Sequence, residues 1–181
     1  GENHLEGYVN IEYPDSHHNL MQPKADYRAD LQDLYFSDEA VDEIRLHHVF
    51  EHFNRVTALA LLIRWQRWLK IGGILHIETP DILGSARTLI SSDSYRTKMG
   101  AVRHLVGDQA ADWGYHVDQW FPEHFERSLK ALGFAEIQIR CSNWDHQPYL
   151  SNVEVIAVKS ESRSLENQLV GADVLLWDST V

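Results

Sequence analysis

Cysteine and positive charge are scarce in this chain, and long apolar runs are missing. The single cysteine, Cys141, excludes a disulfide within the 181 residues. Lys and Arg total 16 against 27 Asp and Glu, so the formal charge is −11, and we expect no nucleic-acid partner because this charge repels phosphate. No apolar run of 18 residues and no signal-like N-terminus occurs. We therefore expect no membrane partner and a cytoplasmic location.

Apolar residues are plentiful, at 44% of the chain, and their spacing predicts an α/β domain. An apolar strand over 41–46 precedes a helix over 57–70 with helical apolar spacing, which we expect to stop at Gly72-Gly73. A second apolar strand follows over 73–79. A strand, helix and strand in this order build a parallel sheet.

The rest of the chain gives weaker strands, one helix and a C-terminal extension. We expect short strands over 8–12 and 25–30 and an irregular polar region over 84–115. A helix stopped by Gly133 precedes two final strands that we expect to pair antiparallel. The predicted bounds are 118–132 for the helix and 134–141 and 153–159 for the strands. The predicted domains are 1–159 and an amphipathic helical extension over 160–181, which we interpret as a possible homodimer element.

Polar, titratable side chains follow several of the predicted strands. The sequence Leu46-His47-His48-Val49-Phe50-Glu51-His52-Phe53 begins at the end of the strand over 41–46. Glu12 and Asp30 end the two weaker strands. Open α/β sheets bind ligands at the carboxyl ends of their strands, so we expect the functional site there.

Six short motifs, taken in order, carry a family resemblance. They are Gly7-Tyr8-Val9-Asn10-Ile11-Glu12, Ala29-Asp30-Leu31-Gln32-Asp33-Leu34-Tyr35-Phe36, Val41-Asp42-Glu43-Ile44, His48-Val49-Phe50-Glu51-His52-Phe53, Leu69-Lys70-Ile71-Gly72-Gly73 and Leu132-Gly133-Phe134. With the order of elements, they resemble the class I S-adenosylmethionine-dependent methyltransferases, in particular the type 11 small-molecule group. The resemblance covers roughly residues 1 to 159.

The resemblance implies a Rossmann-like sheet, mostly parallel with an antiparallel last strand and with helices on both faces. It also implies S-adenosylmethionine as cofactor, with the acidic residue Glu12 on the ribose hydroxyls and Asp30 and Leu31 at the adenine. Carboxylates suit these roles because they accept hydrogen bonds from hydroxyls and amines. The end of the fourth strand of the family faces the methionine and the substrate. The full implied cofactor set is Gly1, Glu12, Tyr13, Asp30, Leu31, His47 and His48.

One departure from the family concerns the centre of the sheet. The first strand of the family and its glycine-rich loop would lie before Gly7, and at best Gly1 remains of them. Without that strand, backbone groups in the sheet would be unpaired. We therefore expect a longer polypeptide or a partner segment to supply it.

Methyl transfer from a sulfonium is an in-line displacement that depends mainly on positioning, and it needs no metal. An acceptor hydroxyl also needs a proton acceptor, and a histidine with a near-neutral pKa suits that task. Our candidates are His52 and His116. The segment over 84–115 mixes cations with aromatic residues, which favours a lid over a sugar or an acidic metabolite. The expected reaction is methylation of a small molecule, with a saccharide oxygen as the favoured target.

Two other functions fit parts of the sequence. His48-Val49-Phe50-Glu51-His52 matches HxxEH, in which two histidines on one helix face bind zinc and the glutamate acts as base. A third ligand could come from Glu78 or His116. Alternatively, the missing glycine-rich loop could mean that no cofactor binds and that the fold serves assembly.

Overall fold

The computed structural model describes residues 4–14, 24–144 and 146–178. Gly1, a predicted cofactor residue, lies outside them. The strands are β1 (Ile11–Glu12), β2 (Tyr27–Arg28), β3 (Val41–His47), β4 (Leu69–Pro80), β5 (Phe134–Asn143) and β6 (Ser151–Lys159). The helices are α1 (Arg55–Trp68), α2 (Ile82–Ser91), α3 (Tyr95–Val106), α4 (Pro122–Leu132) and α5 (Leu165–Trp177).

The main sheet has four strands in the order β3-β4-β6-β5. β3 pairs parallel with β4, and β6 pairs antiparallel with both β4 and β5. β3, β4 and β5 therefore run in one direction, and the last strand runs against them. This confirms the predicted fold class and the antiparallel final pair. It also places the carboxyl ends of β3, β4 and β5 at one edge of the sheet.

The apolar core lies between this sheet and the group formed by α1, α4 and α5, which contact one another. α1 presents fully buried leucines, α4 presents Phe125 and Leu129, and β4 and β6 contribute Leu75 and Val155. The helical spacing predicted for α1 and α4 thus marks their buried faces. In α5, Ala172 is buried whereas Leu165 and Leu169 are exposed.

The prediction that 84–115 is irregular was wrong for most of its length, because α2 and α3 occupy it. Each helix begins at a side-chain cap. Asp81 accepts hydrogen bonds from the backbone amides of Leu83 and Gly84, and Ser94 accepts one from Thr97. The two helices pack against each other, and α2 also contacts β6. Capping and tertiary contacts therefore stabilise both helices.

The predicted glycine stop of α1 was also wrong. The helix ends at Trp68, where Leu69 already has extended backbone angles, and β4 runs through both glycines. Gly72 has a φ of 80°, a left-handed value that glycine adopts at little cost. The pairing of β4 with β3 shifts register next to this point, so the glycine serves a strand irregularity. Gly133, with a φ of 98°, does end α4 as predicted.

β1 and β2 form a separate parallel pair, in which Glu12 lies beside Arg28. The Arg64 guanidinium on α1 donates to the backbone carbonyls of Gln32 and Leu34, which anchors the segment after β2. Within the described residues, no strand pairing joins this pair to the main sheet. The expected intervening strand stays a prediction.

Within the described part of the chain, no helix combines the length and the apolar character needed to cross a membrane.

Candidate active site

The turn after β3 carries the histidine-rich sequence and has a constrained backbone. His48 continues the pairing with β4 by donating its amide to the carbonyl of Glu78, at 2.9 Å. It has a φ of 51°, which is uncommon for a residue other than glycine. The imidazole rings of His47 and His48 lie 4.7 Å apart between centroids. A single 3-10 turn then spans Phe50–His52.

The loop before α4 docks on this turn through its backbone. The carbonyl of Glu51 accepts hydrogen bonds from the amides of Val117, at 2.8 Å, and Asp118, at 3.2 Å. The Asp118 carboxylate pairs with Arg55 at 3.2 Å, which ties the same loop to the start of α1. These contacts position His116 beside the side chain of Glu51.

The Glu51 carboxylate is buried among three imidazoles. Its Oε1 lies 3.2 Å from His48 Nδ1 and 3.8 Å from His116 Nε2. Neither carboxylate oxygen has a partner of hydrogen-bonding geometry among the described residues. Burial alone raises the pKa of the Glu51 carboxyl, but His48, His52 and His116 together outweigh burial and hold that pKa below its ordinary value. The carboxylate is therefore charged at neutral pH, and the three imidazoles stabilise its charge.

The two predicted catalytic histidines lie side by side in this cluster. The rings of His52 and His116 are 4.9 Å apart between centroids and nearly perpendicular. The backbone carbonyl of Tyr115 accepts from His52 Nδ1 at 2.9 Å, and that of His104 accepts from His116 Nδ1 at 2.9 Å. Because a carbonyl only accepts, Nδ1 carries the proton and Nε2 holds the lone pair in each neutral ring. Burial lowers the pKa of His116, which favours that neutral form.

A second histidine–carboxylate pair lies at the end of β4. His47 Nε2 is 3.4 Å from Glu78 Oε1, and the amide of Asn152 donates to the same oxygen at 2.8 Å. The hydrogen bond with Glu78 raises the pKa of His47, and that bond lowers the pKa of Glu78. The pair is charged on both sides over a window of mildly acidic pH.

This pair should make the free energy of unfolding depend on pH. The raised pKa of His47 contributes stability that is complete below its unfolded value of about 6.5 and is lost as pH rises through the folded value. The lowered pKa of Glu78 contributes stability above the unfolded value of about 4.3, which is lost as pH falls. We expect Glu78→Gln to destabilise most between these two values, by less than about 1 kcal/mol because His47 is 58% exposed.

Urea unfolding of the wild type and Glu78→Gln at about pH 5.5 and pH 8 measures this difference. A destabilisation that is equal at both pH values would contradict the assigned pair.

An open pocket of about 400 Å³ lies beside the pair, at the carboxyl edge of the sheet. It is lined by His47, Glu78, Arg140, Ser142, Asn143, Trp144 and His146. Arg140, Trp144 and His146 are not among the site residues predicted from the sequence. Their positions could have predicted them, because Arg140 lies near the carboxyl end of β5 and the other two follow this strand.

The predicted nucleoside-binding carboxylates lie at one end of the β1–β2 pair, with Glu12 at the end of β1 and Asp30 just after β2. Because the pair is parallel, Glu12 and Asp30 come at the same edge, with Tyr13 and Leu31 next to them. The Glu12 carboxylate accepts from the amide of Tyr13 at 3.1 Å, and Asp30 accepts from the amide of Gln32 at 2.8 Å. Leu31 packs against the core. The structure thus groups the predicted residues in two sets, one here and one at the end of β3.

Two further sequence-based hypotheses, the HxxEH zinc site and the lid over 84–115, can be compared with the structure. The HxxEH hypothesis needs His48 and His52 on one α-helix, but only the short 3-10 turn lies there and α1 begins at Arg55. In the expected lid, the ring of His104 is buried, and its Nε2 donates to the Ser151 carbonyl and the Asn152 side chain.

Comparison with known proteins found a match to a family model and similar solved structures. Residues 10–77 match the methyltransferase domain family. A 1,6-didemethyltoxoflavin N1-methyltransferase from Burkholderia thailandensis, solved with S-adenosylhomocysteine, has a similar structure at a TM-score of 0.51 and 13% identity, over 76% of this chain and 52% of that one. The family match covers 68 of the 181 residues, and the structural likeness shows that the two chains share a fold.

Two archaeal structures show the same fold. A methyltransferase from Archaeoglobus fulgidus gives a TM-score of 0.50 at 16% identity, over 75% of this chain and 68% of that one. A methyltransferase from Methanosarcina mazei gives a TM-score of 0.50 at 13% identity, over 80% of this chain and 71% of that one. This chain spans about half the length of the Burkholderia protein. No curated protein matches it.

Proposed function

We propose that this protein transfers a methyl group from S-adenosylmethionine to a small-molecule acceptor, with a saccharide-related oxygen as the target. The observation that carries the proposal is the set of polar side chains at the carboxyl ends of β1, β2 and β3 in a class I fold. Ligands of open α/β sheets bind at these positions. We place the reaction in the cytoplasm, since the single cysteine needs no oxidising compartment.

The residues of the β1–β2 edge fit the nucleoside part of the cofactor. Glu12 and Asp30 lie at one edge, where Glu12 would accept from the ribose hydroxyls and Asp30 from the adenine amine. Leu31 and Tyr13 would flank the nucleoside, and His47, His48 and Gly1 would face the methionine part. When bound, the cofactor supplies a methyl group on a sulfonium, which is electrophilic without help from the protein.

The open pocket supports the acceptor class. Its exposed aromatic ring, Trp144, provides an apolar face, and Arg140, Asn143 and His146 provide planar polar groups around it. A sugar has apolar C–H faces and a rim of hydroxyls, so it matches an aromatic platform with polar neighbours. Glu78, held by Asn152, can accept from a hydroxyl of such a ligand.

His52 and His116 are the proposed proton acceptors for the attacking hydroxyl. Each ring holds its proton on Nδ1 against a backbone carbonyl, which leaves Nε2 with a lone pair. In the proposed step, one imidazole would take the proton of the acceptor hydroxyl as its oxygen bonds to the methyl carbon, and the carbon–sulfur bond of the donor would break to leave S-adenosylhomocysteine. His52 is the more accessible of the two, because the His116 side chain is 12% exposed and its Nε2 faces Glu51.

The activity can be tested with a panel of sugars and nucleotide-activated sugars, with phenolic acids for comparison, by following release of S-adenosylhomocysteine. We expect turnover with a sugar and a loss of roughly 10²- to 10⁴-fold in kcat for His52→Gln, the usual contribution of general base catalysis. His76→Gln is the matched control, because His76 pairs with Glu154 away from the turn. Equal kcat values for His52→Gln and the wild type would contradict the proposed base.

We also propose that α5 forms a homodimer contact. Leu169, Val170 and Val174 are at least half exposed on this helix, and burying them against a second copy removes apolar surface from water. Light scattering should then give twice the monomer mass for the wild type and the monomer mass for Leu169→Glu.

A further inference from the structure

The buried carboxylate of Glu51 has an unusual environment. Its side chain is 2% exposed, and both oxygens lack hydrogen-bonding partners among the described residues. A buried carboxylate without hydrogen bonds costs several kcal/mol unless a positive charge compensates it. Within the described part of the chain, the ion-pair neighbours of this carboxylate are the imidazoles of His48 and His116, with no Lys or Arg.

Glu51 and two nearby histidines offer ligand atoms that are close enough together to bind one metal ion after small movements. One carboxylate oxygen of Glu51 and one ring nitrogen each from His52 and His116 lie within 4.8 Å of one another. Ligands around a zinc ion at about 2.0–2.1 Å would lie closer together, so small side-chain movements complete the site.

The outer contacts of the two rings support the same conclusion. Histidines that bind a metal usually donate their other ring N–H to a carbonyl or a carboxylate, which fixes the ring. His52 and His116 each donate Nδ1–H to a backbone carbonyl at 2.9 Å. His48 Nδ1, 3.2 Å from Glu51, can hold the carboxylate in the same way.

We propose that Glu51, His52 and His116 bind one divalent transition-metal ion, with zinc as the best match. Two imidazoles and a carboxylate are ligands that zinc accepts in sites with an open position. Here Glu51 is a ligand, whereas in the HxxEH arrangement it is a base and His48 is a ligand. The binding itself does not depend on methyl transfer.

A second group, His47, His48 and Glu78, also has suitable spacing. It is the weaker candidate, because Glu78 already accepts a hydrogen bond from Asn152 at 2.8 Å and pairs with His47. Its carboxylate is therefore satisfied without a metal. The experiment must separate the two groups.

The test is a zinc titration of the protein without methyl donor, in competition with a coloured chelator. We expect one zinc per chain with a Kd below about 1 µM, and weaker binding as pH falls because protons compete for the imidazoles. Glu51→Gln should weaken binding by at least about 10- to 100-fold, the loss that even an outer contact causes. Glu154→Gln is the matched control, since its carboxylate pairs with a single histidine elsewhere.

Glu78→Gln separates the two groups and should leave the affinity unchanged. Loss of binding in Glu78→Gln together with full binding in Glu51→Gln would overturn the assignment, and so would the absence of saturable binding. Thermal unfolding guards against a misfolded variant: without zinc, Glu51→Gln should still unfold in one cooperative transition, at a lower temperature than the wild type because the neighbouring imidazoles lose their charged partner. With zinc, the wild type and Glu78→Gln should gain more stability than Glu51→Gln.

One consequence rests on the proposed function. Zinc and a proton use the same Nε2 lone pairs of His52 and His116, so zinc-loaded protein should lose the methyl transfer that depends on His52. Binding is measured without the donor, so failure of the metal site and failure of the methyl transfer are separate results.

Discussion

Replacing Glu12 with alanine should weaken binding of S-adenosylhomocysteine by roughly 10- to 100-fold. The loss of hydrogen bonds to a charged group costs about 1.5–3 kcal/mol, and each 1.4 kcal/mol is a factor of ten in Kd. The effect is specific because a carboxylate at the end of β1 can accept from two neighbouring ribose hydroxyls, which few other side chains can do. Isothermal titration calorimetry of the wild type and the variant measures it.

Glu126→Ala serves as the control for this experiment, since Glu126 is exposed on α4 and pairs with Lys130. Its Kd should equal that of the wild type. Glu12→Gln should give a Kd between those of the wild type and Glu12→Ala, because it keeps one acceptor oxygen and removes the charge. An unchanged Kd in Glu12→Ala would remove Glu12 from the cofactor site.

Phe50→Ala should lower the free energy of unfolding by about 3–5 kcal/mol, the usual cost of a phenylalanine-sized cavity. Phe50 is fully buried, with ring centroids 4.8 Å from Trp120 and 5.6 Å from Trp65. It also begins the 3-10 turn that carries Glu51 and His52. The substitution therefore weakens both the core and the support of the site.

Chemical denaturation measures this effect, with Tyr35→Ala as control. Tyr35 is 81% exposed, so its substitution should change the free energy of unfolding by no more than about 0.5 kcal/mol. A loss below about 1 kcal/mol in Phe50→Ala would show that this ring does not anchor the turn.

The sequence allowed a correct prediction of the elements whose apolar residues face the core. α1, α4 and the final strand pair appear in the structure near their predicted bounds, because their patterns of burial match a helical or a strand period. The Gly-Gly pair after α1 led to a wrong helix end, because glycine is common both at helix ends and at strand irregularities. Only the pairing of strands in the folded protein decides between the two. α2 and α3 were missed, although Asp81 and Ser94, which cap them, are residue types typical of a helix start.

Part of the site could also be predicted. Strand-end positions predicted Glu12, Asp30 and His47. The structure places Glu12 and His47 at the ends of β1 and β3 and Asp30 two residues after β2, whereas their roles in the site stay a prediction. The contact of His116 with Glu51 could not be predicted, since it joins residues 65 positions apart through backbone bonds of Glu51 to the loop. The same holds for Asn152, which reaches Glu78 from the neighbouring antiparallel strand.

Calorimetric titration of the unaltered protein with S-adenosylhomocysteine tests the central claim most directly. If the carboxyl ends of these strands form a nucleoside site, the titration should show saturable binding of one ligand per chain, with a Kd in the micromolar range. Folded protein that releases no saturable heat with this ligand would contradict the account and would favour a methyltransferase fold used for assembly.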